Sequence, residues 1–151
     1  MSQIIFMPAM YELVRAYQAF ESYSAAHIRT LGLTSSQFDI VATLGNTSGM
    51  SFKDLGEKTL ITKGTLTGVV DRLEAKALVR RVASASDGRS QMVQLTKAGE
   101  ALFARVFPAH LCHLEQAFSG FSQKDLDSTK AALQQLRAAF SAASINHEEA
   151  A

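Results

Sequence analysis

The chain has 151 residues, 47% of them hydrophobic and 19% charged, with a formal net charge of +1. That balance excludes a disordered or polyelectrolyte chain, and the length suits a single folding unit with one sizeable core. The lone cysteine, Cys112, excludes an internal disulfide, and no apolar run reaches the roughly 20 residues a membrane span requires. The start, MSQIIFMPAM, has neither a basic n-region nor a long apolar h-region, so an unexported, cytoplasmic protein with no membrane association is expected. Prolines occur only at Pro8 and Pro108, leaving the chain free to be mostly helical.

From about Gln3 to Thr30, Leu13, Val14, Tyr17, Phe20 and Ile28 recur mostly at three- and four-residue steps, the pattern of a long amphipathic helix. Gly32 suits its C-terminus, and Thr34 with Gln37 makes a capping box for a second helix running to about Leu44. After the turn-rich stretch Gly45 to Gly49, Ser51 and Asp54 resemble the cap of a short helix ending near Thr59. Thr62 opens the next helix, where Leu66, Val69, Val70, Leu73 and Ala77 form one apolar face. Lys63, Gly64, Thr67, Gly68, Asp71 and Arg72 lie opposite.

Beyond Ala77 the period becomes alternating. Leu78 to Val82 and Met92 to Leu95 read as two short strands, joined by a polar loop from Ala83 to Ser90. Thr96 caps a long helix carrying Leu102, Phe103, Val106, Phe107, Leu111, Leu114 and Phe118, with a bend expected at Pro108. Gly120 interrupts the pattern and Ser122 with Asp125 restarts it. In the last helix Leu126, Leu133 and Phe140 fall seven apart, a seam suited to a partner chain. The tail from Asn146 to Ala151 is expected to be disordered.

This order is the layout of a winged helix-turn-helix with a two-stranded wing, embedded in a helical dimerisation frame. The expected fold is mainly α (α+β winged helix): a single domain over residues 1–151, a winged lobe over 34–96, and a dimerisation lobe over 3–30 and 97–145. Formal charge is −1 over residues 1–59, +4 over 60–97 and −2 over 98–151, so the basic surplus sits where a phosphate-binding surface would need it. A major groove admits one α-helix, which makes Lys63, Thr65, Thr67 and Asp71 base-side candidates, with Thr62, Gly64, Gly68 and Arg72 on the same helix. Ser51, as a cap, is a phosphate candidate. Arg89 is the long cation at the wing tip, suited to the negative potential of a narrow minor groove, with Asp87 placed to orient it. The alternatives are purely structural: Ser51 and Thr62 as caps only, Asp71 and Arg72 as ion-pair partners. Arg80, Arg81 and Lys97 fit either phosphate contacts or ion pairs.

Residues 60 to 99, LITKGTLTGVVDRLEAKALVRRVASASDGRSQMVQLTKAG, resemble the signature region of the MarR family of regulators. The matching features are Thr65-x-Thr67, the run from Val70 to Glu74, Leu78-Val79 followed by Arg81, Asp87-x-Arg89, and Leu95-Thr96-x-x-Gly99. With the flanking helices, the resemblance spans essentially the whole chain. It implies a sequence-specific transcriptional regulator, a repressor acting as a homodimer on a pseudo-palindromic double-stranded DNA operator, with Asp87 and Arg89 as the wing pair. It also implies a small aromatic or phenolic effector lodged between the dimerising helices and the winged unit. Tyr11, Tyr17, Phe20, Tyr23, His27 and Phe38 are the candidate lining, with simple core packing as the alternative. The chain departs from the family pattern at Gly68, where many members carry a long polar residue, at Gly88 in the wing, and at Ala77, where glycine is usual.

Other classes fit less well. No nucleophile elbow, phosphate-cradling glycine motif or HExxH pair points to an enzyme, and no cofactor or metal is expected. A winged-helix module binding protein instead of DNA lacks a reason for the basic centre. A redox or metal-responsive regulator would need Cys112, His110 or His113. Cys112 is expected to be buried among apolar neighbours and therefore inert, and it points away from the two histidines.

Overall fold

The computed structural model describes residues 4–59, 61–86 and 88–150. The chain gathers into two compact units, Met1–Leu114 and Glu115–Ala151. The first contains α1 (Met7–Thr30), α2 (Ser35–Leu44), β1 (Met50–Ser51), α3 (Phe52–Thr59), α4 (Lys63–Ala75), β2 (Val79–Ala83), β3 (Gln91–Leu95) and most of α5 (Lys97–Ala117); the second contains α6 (Gln123–Ala150).

Helix boundaries follow local chemistry. Pro8 sits in the first turn of α1, where its missing N–H costs nothing. At α2 the Gln37 N–H donates to Thr34 Oγ1 (3.2 Å) while the Thr34 N–H donates to Gln37 Oε1 (3.1 Å), the reciprocal box expected from the sequence. α4 closes in a Schellman motif. The Leu78 N–H reaches the Leu73 carbonyl (3.0 Å) and the Ala77 N–H the Glu74 carbonyl (2.9 Å), with Ala77 at φ +58°. Ala77 therefore lies beyond the helix and is exposed, not part of the apolar face.

The sheet has three strands, not two, in the order β1-β3-β2. Met50 pairs with Val93 and Ser51 with Met92, so Ser51 belongs to a short strand as well as capping α3. The β2–β3 hairpin runs from Val79 opposite Leu95 to Ala83 opposite Gln91. At the following junction the Thr96 N–H donates to the Leu78 carbonyl (3.0 Å) and the Gly99 N–H to Thr96 Oγ1 (3.1 Å). A Cβ at Gly99 would collide with that Leu78 carbonyl, so only glycine lets α5 start this close to the end of α4.

One apolar cluster unites Ile40, Val41 and Leu44 of α2, Met50, Leu55 of α3, Leu66, Val69, Val70 and Leu73 of α4, and Val79, Val93 and Leu95 of the sheet. A smaller one, Ile28, Leu33, Phe38 and Val106, ties α1 and α2 to α5. α5 continues through Pro108, and Cys112 is exposed on it, correcting the expectation of burial. The reason is helix phase: Val106 and His110, four apart, face inward, and Cys112 falls two residues off that line.

α6 starts on a capping box in which the Asp125 N–H donates to Ser122 Oγ (3.1 Å) and the Ser122 N–H to Asp125 Oδ2 (2.8 Å). It extends to Ala150, so the segment expected to be disordered is helical up to that residue. Glu148, Glu149 and Ala150 are good helix formers, and nothing there breaks the helix. None of its residues is buried.

Candidate nucleic-acid interface

α3 and α4 make the helix pair of the helix-turn-helix, and the β2–β3 hairpin makes the wing. α4 is oriented by its inner face, where Leu66, Val69, Val70 and Leu73 are between 0% and 4% exposed. The opposite face presents Lys63, Gly64, Thr65, Thr67, Asp71 and Arg72 to solvent, with Gly68 half-buried. A Cβ at Gly64 or Gly68 would meet no protein atom within 4 Å. Packing within the chain therefore gives no reason for either glycine.

The two cap candidates part company. Ser51 Oγ accepts from the Asp54 N–H (3.1 Å) and caps α3. Thr62 takes the N-cap position of α4 but makes no side-chain cap bond, and its hydroxyl instead donates to Thr65 Oγ1 at 3.1 Å. The capping expected there is not formed.

Arg81 takes the ion-pair role that the sequence left open. From β2 its Nη2 bonds the Asp71 carboxylate and its Nη1 donates to Glu74 Oε1 (3.0 Å), both on α4. The guanidinium also lies 5.6 Å from the centroid of the Phe52 ring on α3. The Asp71 hydrogen bond, helped by the charges of Glu74 and Asp71 against some desolvation, raises its already high pKa. Phe52 was not singled out from the sequence, and Glu74 entered only as the end of the run from Val70 that resembles the family. The seven-residue gap from Glu74 to Arg81 crosses a helix end, so helix periodicity could not reveal the pair. Arg80 Nε donates to Gln94 Oε1 (3.1 Å), and Gln94 Nε2 donates to the Ser48 carbonyl (2.9 Å), tying the wing to the β1 turn.

At the tip the Ser84 N–H donates to the Ser90 carbonyl (2.9 Å), closing the loop that carries exposed Arg89. Asp87 lies outside the described residues. The cations between residues 60 and 97 are Lys63 and Arg72 on α4, Lys76 just beyond it, Arg80 and Arg81 on β2, Arg89 in the wing loop and Lys97 at the start of α5.

The six candidate ligand-lining residues do not gather in one place. Tyr11, Tyr17 and Phe20 are exposed, at 62%, 61% and 52%, so they do not fill the core of this chain. Tyr23 and His27 are half-buried and Phe38 is buried, close to His110 and His113 of α5. Tyr17 borders a surface cavity of about 460 Å³ shared with Glu21, Asp39, Thr59, Thr62 and Thr65. Desolvation, then the charge of Glu21, pushes the Asp39 carboxyl up to about 6. A hydrogen bond and the charge of Glu21 raise the Tyr17 phenol. That wall is acidic and rich in hydroxyls.

A three-stranded sheet, a helix-turn-helix and a projecting hairpin define a winged-helix protein. A model of the MarR family matches residues 31–90. The HTH-type transcriptional regulator MhqR of Bacillus subtilis (strain 168) is 31% identical over 115 residues, covering 76% of this chain and 79% of that protein. The homoprotocatechuate degradative operon repressor of Escherichia coli is 36% identical over 93 residues, 62% of this chain and 63% of that one. Among solved structures, BpsR of Bordetella bronchiseptica, whose DNA binding is regulated by 6-hydroxynicotinic acid, superposes with a TM-score of 0.76 at 26% identity, covering 90% of this chain and 94% of that chain. The chain belongs to the MarR family of winged-helix transcriptional regulators. Among the described residues, no helix is long and apolar enough to cross a membrane.

Proposed function

We propose that the protein is a cytoplasmic repressor that binds a pseudo-palindromic DNA operator as a homodimer. The observation that carries this reading is the division of α4 into a fully buried face and an exposed polar face beside a basic wing. In it, the N-terminal half of α4 enters the major groove, with Lys63, Thr65 and Thr67 toward the base edges and Gly64 and Gly68 allowing close approach. Arg89 enters the adjacent minor groove. Ser51, Thr62 and Arg72 contact phosphates, while Asp71 and Arg81 serve chiefly to brace α4 against the wing.

Pairing is supported by large apolar side chains exposed on α1 and α6, among them Val14, Tyr17, Leu133 and Ile145. Two copies would place two winged lobes on successive turns of the duplex. By analogy with BpsR, a small aromatic effector would act by binding one spacing of the lobes better than the other.

Selection of bound fragments from genomic DNA by the purified protein tests the reading. Enrichment of one inverted-repeat sequence is the expected result. Recovery of fragments with no shared sequence would overturn specific recognition, and no retention at low salt would favour a protein-binding role.

A further inference from the structure

Three histidine rings from two helices form a stack within the first unit. His27 of α1 lies almost parallel to His113 of α5, with centroids 4.1 Å apart and planes 6° from parallel. Tyr23, one turn earlier on α1, stacks on the same His113 ring at 4.3 Å, and its hydroxyl donates to the His113 carbonyl at 2.7 Å. His27 Nδ1 lies 2.9 Å from His110 Nδ1, and His110 Nε2 lies 3.0 Å from Ser24 Oγ. His110 is 3% exposed, with the Phe38 ring of α2 edge-on at 4.7 Å.

A hydrogen bond between two Nδ1 atoms requires one to carry a proton and the other to be bare. Two neutral rings meet that condition with opposite tautomers, and so does one imidazolium facing one neutral ring. Two imidazolium rings cannot, because both Nδ1 atoms then carry hydrogen. The groups facing the pair are Tyr23 and Ser24 from α1, Phe38 from α2 and His113 from α5. The charges bearing on His27 and His110 are those of the other rings in the stack; among the described residues no carboxylate contributes. Among the described residues there is no group of three or more side chains suited to a metal.

Burial first, and then the neighbouring rings, hold His27 and His110 below the ordinary imidazole value. The unfolded chain therefore takes up protons more readily than the folded one. Stability from the stack is complete above the unfolded value of about 6.5 and is lost as pH falls through the lowered folded values.

We infer that the stack of Tyr23, His113, His27 and His110 is a proton-operated clasp between α1 and α5, closed while the rings are neutral and released when a second proton enters the His27–His110 pair. Its consequence for DNA rests on the proposed function: α5 begins at the wing junction and α1 carries part of the exposed pairing face, so release would uncouple the two.

The test uses the full chain with 13C-labelled histidine, followed by NMR and thermal melts from about pH 7.5 to about pH 5.5. Two variants accompany it. His27→Gln retains an N–H donor toward His110 without titrating, and His113→Phe keeps a stacking ring. In the natural protein His27 and His110 should both titrate below free imidazole, and the melting temperature should fall across the window. That fall should shrink by about half or more in His27→Gln, since one linked proton changes the open-to-closed ratio about tenfold per pH unit, whereas His113→Phe, which keeps the stack and the His27–His110 pair, should retain it. An equal slope in all three proteins overturns the clasp, as does protonation of both rings with the Tyr23–His113 contact intact. Operator affinity in the same pH series separates the two readings. A constant affinity in the natural protein overturns the link to DNA, whereas absence of binding at every pH overturns the proposed function and leaves the clasp to be judged by the rings and the melts.

Discussion

The Arg81 guanidinium on β2 is bonded to the Asp71 carboxylate on α4, so the recognition helix and the wing are joined by charge as well as by the core beneath them. Glu74 shares the same guanidinium at 3.0 Å. The carboxylates are 57% and 42% exposed, and solvent screening limits the pair to about 0.5–1 kcal/mol of stability. Arg81→Met should lose that much in urea denaturation. It should also weaken operator binding without changing the slope of log affinity against log salt, because a bracing residue neutralises no phosphate. A slope reduced by about one would make Arg81 a phosphate contact instead.

Arg89 should behave in the opposite way. It is exposed at the wing tip, and under the proposed function it meets the duplex directly. Arg89→Ala is expected to leave the melting temperature and the dimer intact while costing about 1–3 kcal/mol of operator affinity and reducing the salt slope by about one. Fluorescence anisotropy at several salt concentrations measures both, and unchanged affinity would remove the wing from the mechanism.

Ala77 at φ +58° occupies the left-handed position of the Schellman motif, where an L side chain costs about 1 kcal/mol relative to glycine. Its carbonyl accepts from Thr96 Oγ1 at 2.6 Å, so the backbone is held in place from the far side of the hairpin. Ala77→Gly should stabilise the protein by about 1 kcal/mol, read as a higher urea midpoint at constant m-value. No gain would mean that the freedom glycine adds to the unfolded chain offsets the relieved strain.

The features legible in the sequence are those whose partners lie within a few residues. The boxes at Thr34 with Gln37 and Ser122 with Asp125 are pairs three apart, and the four buried positions of α4 follow one helical period. β1 escaped because two residues carry no alternation and their partners, Val93 and Met92, lie over forty positions away. The histidine stack escaped for the same reason: His27 and His110 are 83 residues apart, and their meeting depends on how α1 packs on α5. The exposed aromatic residues of α1 were ambiguous because an amphipathic pattern identifies an apolar face without identifying what covers it.

Gly64 and Gly68 separate stability from recognition. Each costs about 1 kcal/mol of helix propensity relative to alanine, and an added methyl meets nothing in the protein. Gly68→Ala should therefore raise stability by up to about 1 kcal/mol while weakening operator binding, if the open space is filled by DNA. Thermal melts and anisotropy on the same samples check both signs. A variant more stable and equally tight would show that the helix keeps the glycine for a reason unrelated to DNA contact.

Leu126, Leu133 and Phe140 of α6 fall at heptad spacing, yet they are 36%, 51% and 49% exposed in the single chain. Burying side chains of this size contributes about 1.5–3 kcal/mol when complete, and roughly half of that remains available here. In a two-fold dimer each contact occurs twice, so one charged substitution is counted twice. Leu133→Glu should therefore weaken dimerisation by about 3 kcal/mol or more, roughly a hundredfold in the dissociation constant. Gln135→Glu, two residues along the helix and away from that line, adds the same charge outside the seam and should leave dimerisation unchanged. Sedimentation velocity across a concentration series distinguishes the two variants, and an equal effect from both would assign the loss to net charge and not to the seam. If the operator is read by two winged lobes together, Leu133→Glu should also lose operator affinity, although the substituted residue lies on α6 and outside both the recognition helix and the wing.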